Sequence, residues 1–367
     1  TASSGEQALA LMEEERFDVV VSDLTMPKMS GAELLTHVSK RWPSSARVVV
    51  SGFADELTIA KCMMVGHRYF SKPFDPMALT VAVRKLSEAR DTASNEKVRE
   101  YVGKIDALPT QSHTYLQLTK ALGSTTASMR EVSSLIEQDP ALTSKVLQTV
   151  NSAMFGPARR ITSVMEAVQL IGFQVLRALV LGIQVFDFFQ NAALKLSLNS
   201  LWAHSLETAL NAKRLAAIED LSDTLCDEAF LAGLLHDIGK VALAASSPTE
   251  YQVLWTRHHK DSTALREAEF LAFGATHAEV GAYLLKLWGL PDSIVEAVER
   301  HHASSVEITQ SFSPLLAVIV AQEFAPGKET DPAILALLEQ AGFTDRIPIW
   351  RAILEQKRHK VDHASAS

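Results

Sequence analysis

The change of hydrophobic pattern near residue 88 constrains the fold of this 367-residue chain most strongly. Before that point, the short β-branched runs FDVVVSD and ARVVVSGF alternate with segments of helical apolar spacing such as GAELLTHVSKRW. Such alternation predicts a parallel sheet with crossover helices, whose functional site lies at the carboxyl ends of the strands. Beyond a polar connector, every substantial segment has a helical pattern. The sequence therefore predicts an α/β module followed by a large all-α module.

The composition limits the classes of partner. The chain is 47% hydrophobic and 21% charged, which is typical of globular domains, and its net charge of -8 comes without a long basic run. We therefore expect no nucleic-acid partner. The apolar stretches ALVLGIQVF and LLAVIVA are shorter than the roughly 20 residues of a membrane span, so no membrane association is expected either. Cys62 and Cys226 lie far apart and predict reduced, buried thiols in a cytoplasmic protein.

Three polar residues follow the predicted strands of the α/β module. Asp23 and Ser51 each end a strand, and Lys72 ends a third within YFSKPF. Because the ends of parallel strands are neighbours, a carboxylate, a hydroxyl and an ammonium group should converge at one sheet edge. This set suits phosphoryl transfer onto a carboxylate, with Asp23 as nucleophile and the other two groups binding phosphoryl oxygens.

These residues resemble the receiver domain of two-component response regulators. DLTMPKMSG after the first strand, the SGF segment at Ser51 and the Lys72–Pro73 pair match that family in order and approximate spacing. The resemblance implies a flavodoxin-like fold, phosphorylation of Asp23 by a sensor histidine kinase, and a switch aromatic at Tyr69.

The magnesium site of this module departs from the family pattern. Receivers begin with a strand that carries an acidic pair for Mg²⁺, whereas this sequence starts after that strand. Only Asp23 and the backbone carbonyl of Thr25 remain as expected Mg²⁺ ligands. Since Mg²⁺ prefers octahedral oxygen coordination, we expect the chain as given to be phosphorylated weakly.

The all-α module carries short motifs that resemble the HDOD family, the HD-related output domain, from about residue 108 to about residue 302. The matched landmarks are Asp139–Pro140, Asn151–Ser152, Phe155–Gly156 and Ile171–Gly172. Asp139 and Pro140 suit a helix start, and Asn151 suits a helix end, so structural roles are expected for them.

A set of histidines and one aspartate occurs in the helical contexts of this module. Its members are His204, His236, Asp237, His277, His301 and His302. In this order they resemble the ligands of the HD phosphohydrolase superfamily, which includes the HD-GYP cyclic-dinucleotide phosphodiesterases. The resemblance implies a divalent metal such as iron or manganese that activates a water molecule. Lys240, in HDIGK, is at a position where a cation could bind phosphate.

Three features argue against a working hydrolase. Ser200 stands where HD-GYP enzymes carry a glutamate, the GYP loop is missing, and Gln322 is at the expected position of the last superfamily aspartate. Loss of anionic ligands weakens divalent cation binding. The alternatives are an inert polar core, a metal holder without turnover, a nucleotide sensor, and a metal-dependent phosphohydrolase acting on a cyclic dinucleotide or another phosphoester.

The whole sequence predicts a response regulator whose receiver controls a non-catalytic HDOD output that binds downstream signalling proteins, with homodimerisation as a further possibility. The predicted segments are a receiver at 1–88, a linker helix at 89–105, the HDOD domain at 106–302, and C-terminal helices and tail at 303–367. Within the last segment, helices are predicted at 313–326, 331–341 and 347–358, followed by a disordered end.

Overall fold

The computed structural model describes most of the chain, including both predicted modules. The described residues are 1–52, 66–92, 96–104, 128–152, 155, 157, 159, 161–190, 198–303, 311–324 and 330–364. Cys62 and Gly156 lie outside these residues.

The α/β module contains a parallel sheet, as predicted. Its strands are β1 (Val19–Asp23), β2 (Ala46–Ser51) and β3 (Arg68–Ser71), in the order β1-β2-β3. Every residue of the central strand β2 is buried. That burial explains its continuous Val48–Val50 run, because a parallel strand covered on both faces needs no polar alternation.

The helices follow the apolar periodicity of the sequence. They are α1 Gly5–Glu14, α2 Gly31–Arg41, α3 Pro76–Thr92, α4 Glu96–Lys104, α5 Met129–Glu137, α6 Pro140–Val150, α7 Val164–Ile171, α8 Phe173–Gln190, α9 Leu198–Ile218, α10 Asp223–Leu235, α11 Ile238–Ser246, α12 Pro248–His258, α13 Ser262–Phe273, α14 His277–Trp288, α15 Asp292–Arg300, α16 Pro314–Glu323, α17 Pro332–Gln340 and α18 Ile347–Ala364.

Asp139 caps the N-terminus of α6 through the amides of Ala141 and Leu142, and Asn151 caps its C-terminus, which confirms both predicted structural roles.

The chain forms two compact units that do not follow the sequence modules. The first unit comprises Thr1–Lys120, Gln184–Leu196 and Ile238–Pro291, and the second comprises Ala121–Ile183, Ser197–Asp237 and Asp292–Ser367. The division falls directly after Asp237. Helices α11 to α14 therefore belong to the same unit as the sheet.

In the first unit, the predicted linker at 89–105 includes the end of α3 and the helix α4, and α4 is an integral part of the packing. It contacts α2 of the sheet module and also α11 and α14. Val98 and Val102 on α4 are buried, and the ring of Tyr101 meets that of Phe273 edge to face at 5.4 Å between centroids. Apolar burial of this kind stabilises the position of the helix.

In the second unit, a helical core forms around α9 and α10. These two helices pack along each other, and both also pack against α16, while α15 contacts α10 and α16. All but one of the α16 residues are buried, so this helix is central to the unit. Apolar residues on every side of α16 agree with its position, since a helix surrounded by protein has no polar face.

The three predicted C-terminal helices are present. Helix α18 continues through Ala364, six residues into the end that was predicted to be disordered from His359, since no glycine or proline interrupts the sequence between Trp350 and Ala364. The last three residues, 365–367, lie outside the described residues. Trp350, near the start of α18, is fully buried, and its indole N–H donates to Glu219 Oε1 at 2.8 Å.

One helical stretch, Asp223–Ser246, is long and apolar enough to cross a membrane by length and composition. However, 83% of its apolar window is buried inside the protein. The bent pair Val164–Ile171 and Phe173–Ile183 passes the same test when taken together, with an angle of 117° between its halves. Core helices of folded domains have this composition too, and burial accounts for the apolar residues of Asp223–Ser246.

Candidate functional site

The predicted phosphoryl-transfer residues converge at the carboxyl edge of the sheet. Asp23 ends β1, and Lys72, one residue beyond β3, places its Nζ 2.5 Å from Asp23 Oδ2. Ser51 ends the central strand β2, where it pairs with Ser71, and its carbonyl accepts the Lys72 amide at 2.6 Å. The parallel register therefore brings the three strand ends together as the sequence predicts.

Asp23 is held as a carboxylate. Its partial burial acts to raise the pKa, but hydrogen bonds from Lys72 and the Thr25 amide and the positive charge of Lys72 outweigh burial, so the pKa lies below its ordinary value. The Thr25 amide donates to Asp23 Oδ1 at 3.2 Å. An ionised, hydrogen-bonded carboxylate whose side chain remains 37% exposed is suited to attack a phosphorus atom.

The hydroxyl of Ser51, at the end of the central strand β2, is buried. The residue is only 1% exposed, and within the described part of the chain its Oγ makes no hydrogen bond. A buried hydroxyl without a partner is costly, so an arriving phosphoryl oxygen would gain a donor that is already desolvated. The Tyr69 backbone lies in β3 opposite Val49, and its switch role stays a prediction.

The loop after Asp23 packs closely against the carboxyl end of β1 at Gly31. The Gly31 amide donates to the Leu24 carbonyl at 3.0 Å, and a Cβ at Gly31 would lie 2.0 Å from the carbonyl oxygen of Asp23. Only glycine fits this approach, which explains the glycine that closes the DLTMPKMSG motif. Gly31 thereby supports the backbone that positions the carboxylate.

A second cluster lies in the second unit, where α9, α10 and α15 supply the histidines. Asp237 follows α10, and its Oδ2 lies 3.3 Å from His236 Nε2 and 4.0 Å from His204 Nε2. The other oxygen, Oδ1, lies 3.8 Å from His301 Nε2. The ring of His302 lies 4.0 Å from that of His301, measured between centroids. Five of the six predicted members thus belong to one cluster in the second unit.

Two rings of this cluster are oriented by main-chain carbonyls. His236 Nδ1 lies 2.7 Å from the Gly233 carbonyl oxygen, and His301 Nδ1 lies 2.6 Å from the Val298 carbonyl oxygen. Because a carbonyl only accepts, each Nδ1 must carry the proton, and Nε2 of a neutral ring then offers a lone pair. These Nε2 atoms lie 3.3 Å and 3.8 Å from the carboxylate oxygens of Asp237.

This donor set fits a divalent metal. Ligand atoms of His204, His236 and Asp237 all lie within 4.8 Å of one another. His236 and Asp237 are buried, and in the described residues the buried Nε2 of His236 makes no hydrogen bond. Imidazole nitrogens with one carboxylate are ligands that zinc, iron and manganese accept in proteins. An arriving metal would satisfy that nitrogen.

The sixth predicted member, His277, belongs to the first unit, where it begins α14. Its Nδ1 lies 2.7 Å from Glu269 Oε2, and both side chains are fully buried. Burial acts to raise the pKa of Glu269, but the His277 charge and hydrogen bonds from His277 and Tyr251 outweigh it and hold the pKa below its ordinary value.

Glu269 and Tyr251 were not predicted as site residues. A signal for Glu269 was present, because it lies on α13 between Leu265 and Phe273 at a spacing of four residues, and all three are buried. An acidic residue on an apolar helical stripe indicates a buried partner. Tyr251, on α12, had no comparable signal.

The remaining predicted residues lie on the expected helices. Lys240 is half-buried on α11, Ser200 is exposed on α9, and Gln322 is 8% exposed on α16. Their assigned roles stay predictions.

Comparison with known proteins agrees with both halves of this architecture. The family model of the response regulator receiver domain matches residues 1–84, and that of the HDOD domain matches residues 108–304, more than half of the chain. The chain belongs to the HDOD family. It combines an N-terminal receiver domain with an HDOD domain, as the motifs indicated.

Several individual proteins are similar to this HDOD protein. A crystal structure of an HDOD domain protein of unknown function from Geobacter sulfurreducens matches with a TM-score of 0.56 at 27% identity, covering 74% of this chain and 95% of that one. An uncharacterized protein of Treponema pallidum is 24% identical over 62% of this chain, and the hydrogenase transcriptional regulatory protein HoxA of Cupriavidus necator is 38% identical over 24% of it. The chain spans 44% and 19% of the lengths of these two relatives.

Proposed function

We propose that this HDOD protein is a cytoplasmic response regulator in which phosphorylation of Asp23 controls a non-catalytic output domain. The observation that carries the proposal is the contact between Lys72 Nζ and Asp23 Oδ2 at 2.5 Å, at the sheet edge where the buried Ser51 ends the neighbouring strand. The proposed boundaries are 1–88 for the receiver, 89–105 for the linker helix, 106–302 for the HDOD domain and 303–367 for the C-terminal segment.

The chemistry is transfer of a phosphoryl group from a sensor histidine kinase. A carboxylate oxygen of Asp23 attacks the phosphorus atom, the bond from phosphorus to the histidine nitrogen breaks, and that nitrogen keeps the electron pair. Lys72 and Ser51 bind the phosphoryl oxygens. Asp23 and the Thr25 carbonyl would contribute oxygen ligands to Mg²⁺, which neutralises phosphoryl charge when bound.

Helix α4 is the proposed route from the receiver to the output. It contacts α2, which follows the phosphorylated loop, and it also contacts α11 and α14. Helix α11 begins directly after Asp237, and α14 begins at His277. A two-state movement of α4 would therefore reach α14, which carries the predicted ligand His277, and α11, which carries Lys240.

Hydrogen exchange tests this control. With Mg²⁺ and beryllofluoride, a phosphoryl mimic, the full-length gene product should show altered amide exchange in 238–246 and 277–288 as well as in the receiver. The same treatment of Asp23→Asn should leave both segments unchanged. Changes confined to 1–92 in the wild type would contradict the proposal that the receiver controls the HDOD domain.

We further propose that the cluster around Asp237 holds a divalent metal without appreciable turnover. The oriented rings of His236 and His301 support metal binding. The neutral amide of Gln322 and the hydroxyl of Ser200 support the lack of turnover, because fewer anionic ligands weaken metal binding and leave its water poorly activated. The output then acts by binding a downstream signalling protein, and the protein can act as a homodimer.

Metal analysis tests this second part. Wild-type protein purified with Fe²⁺ or Mn²⁺ should retain metal. The control is His259→Ala, which removes an imidazole ring at the exposed end of α12. The fraction of bound metal lost by His236→Ala should be at least ten times the fraction lost by this control. Cyclic di-GMP and a chromogenic phosphodiester should not be hydrolysed with Mn²⁺, Fe²⁺ or Mg²⁺. Equal metal retention by the two variants would contradict the assigned ligand.

The alternative is a receiver-controlled metal-dependent phosphohydrolase. The three ligand atoms of His204, His236 and Asp237 within 4.8 Å favour it, because such a set can hold a metal that activates water. Metal-dependent turnover of either diester that disappears in His236→Ala and Asp237→Ala would make this alternative the better assignment.

A further inference from the structure

We propose that Arg68, on strand β3 of the receiver, makes a regulatory contact with the C-terminal end of helix α14, which phosphorylation of Asp23 breaks. The inference rests on the proposed control of the HDOD domain by the receiver. It adds a second contact, besides those of helix α4, through which that control acts. Arg68, Asp23 and α14 all belong to the first unit.

The side chain of Arg68 lies against Gly289, the residue that caps the C-terminus of α14. A Cβ at Gly289 would lie 2.0 Å from Nη2, 2.3 Å from Cζ and 2.9 Å from Nη1 of Arg68. The arginine is half-buried, and a guanidinium group stays positively charged in proteins. A positive charge from the receiver sheet is therefore held directly beside the backbone at the end of α14.

The end of a helix attracts a cation at this position. The carbonyl groups of the last turn have no following helical amides, and they give the C-terminus a partial negative charge. Gly289 has a φ of 72°, a left-handed conformation that favours glycine, and any side chain there would occupy the space of the guanidinium. The Arg68 charge therefore stabilises the last turn of α14, and Gly289 leaves room for it.

A second cation makes the same kind of contact at the end of α13. Gly274, with a φ of 67°, caps this helix, and a Cβ there would lie 2.5 Å from Cδ and 3.1 Å from Nζ of Lys97 on α4. Two other glycines in the described part of the chain have positive φ, Gly172 and Gly342, and a Cβ at either would meet no atom within 4 Å. A cation beside the cap is thus a feature of the two helix ends in the first unit.

The neighbouring strand β2 is also close to α14. Val48 on β2 pairs with Arg68, and the preceding residue, Arg47, is only 1% exposed. Burial lowers the pKa of Arg47 to about 10, and Tyr283 on α14 acts to raise it, so this guanidinium keeps its charge at neutral pH. Helix α3, which follows β3, contacts α14 as well. The Arg68 contact is therefore part of a larger contact between the receiver and this helix.

Strand β3 connects the contact to the phosphorylation site. Arg68 is its first residue, and Lys72, whose Nζ lies 2.5 Å from Asp23 Oδ2, directly follows its last. The two residues are about 13 Å apart along the strand, at roughly 3.3 Å per residue. On phosphorylation, Lys72 must exchange its carboxylate partner for a phosphoryl oxygen. Because β3 is extended and paired with β2, its displacement at Lys72 would also withdraw Arg68 from α14.

Hydrogen exchange of the amides at 285–290 tests the regulatory contact in the full-length gene product. Without a phosphoryl mimic, Arg68→Gln should raise exchange there about 5–30-fold over the wild type, the effect of losing a partly buried cation at a helix C-terminus. With Mg²⁺ and beryllofluoride, the wild type should reach a similar rate, and Arg68→Gln should change little further. Arg84→Gln changes an exposed arginine on α3 and should behave as the wild type does.

A double-mutant cycle measured by urea unfolding tests the contact itself. Gly289→Ala would push the flexible end of Arg68 away from α14, so it should destabilise the protein less when Arg68→Gln is already present. Gly342→Ala is the matched control, because Gly342 has a φ of 83° but no neighbouring atom at a Cβ position, and its effect should add to that of Arg68→Gln. If Arg68→Gln does not fold, Gly289→Ala replaces it in the exchange experiment.

The regulatory contact and the control by the receiver fail differently. Beryllofluoride that changes exchange only within 1–92 of the wild type would contradict both. A wild-type response at 285–290 that Arg68→Gln retains in full would overturn the regulatory contact, while control through α4 remains. Additive effects of Gly289→Ala and Arg68→Gln would show that Arg68 does not stabilise the end of α14.

Discussion

Asparagine in place of Asp23 is expected to abolish the alkali-labile acyl phosphorylation of the full-length gene product by phosphoramidate and Mg²⁺. The amide is neutral and cannot supply the attacking oxygen that the ionised carboxylate provides. The substitution also removes the negative charge that lies 2.5 Å from Lys72 Nζ. The measurement is radiolabelled phosphate incorporation, with borohydride trapping to identify the labelled carboxylate.

The control is Asp18→Asn, which changes an exposed carboxylate just before the opposite end of β1 and should retain full incorporation. Lys72→Ala should keep Asp23 as the labelled residue but slow incorporation on the order of 100-fold, as loss of one oxyanion-binding donor does. Label on a carboxylate other than Asp23 in the wild type would refute the assignment.

Alanine in place of Gly239 is expected to destabilise the folded chain by more than about 3 kcal/mol. A Cβ at this position of α11 would lie 1.8 Å from the carbonyl oxygen of His277 and 2.8 Å from the amide nitrogen of Gly281. Alanine normally stabilises a helix interior by about 0.5–1 kcal/mol relative to glycine, but here the clash is with backbone that cannot rotate away.

Calorimetry measures this effect as a fall in Tm of at least roughly 6–12 °C, because each kcal/mol lowers Tm by about 2–4 °C. Gly52→Ala is the matched control, since its Cβ would approach only Lys72 side-chain atoms at 3.8 and 3.9 Å, which are ordinary contacts. A Gly239→Ala variant as stable as Gly52→Ala would show that α11 and α14 are not as closely packed as described.

The receiver site could be predicted from the sequence because its geometry is local to strand ends. Once VVVSD, ARVVVS and RYFS are assigned as parallel strands, their carboxyl ends must lie side by side, and Asp23, Ser51 and Lys72 follow. No long-range information beyond strand order is needed. The neighbouring motif DLTMPKMSG then identifies the chemistry.

The HDOD part could be predicted less completely because helix packing depends on tertiary contacts. Periodicity predicts that α9 and α10 are helices, but it does not say which faces meet or that His236 and His301 are both oriented by main-chain carbonyls. Glu269 was missed since a glutamate within a helix is usually exposed. The continuation of α18 was missed because its end is polar, although polar residues do not prevent a helix.

The packing of α4 in the first unit determines where this protein can be divided into fragments or joined to a receiver from another protein. Val98 and Val102 are buried on α4, and Tyr101 covers Phe273 of α13. A fragment that starts at residue 106 would leave the apolar surfaces of α11 and α14 exposed to water, where they favour aggregation. A receiver from another regulator could replace this one only if α4 were kept with the HDOD sequence. In such a chimera the exchanged receiver should therefore end before Glu96, and helix α4 should come from the HDOD protein.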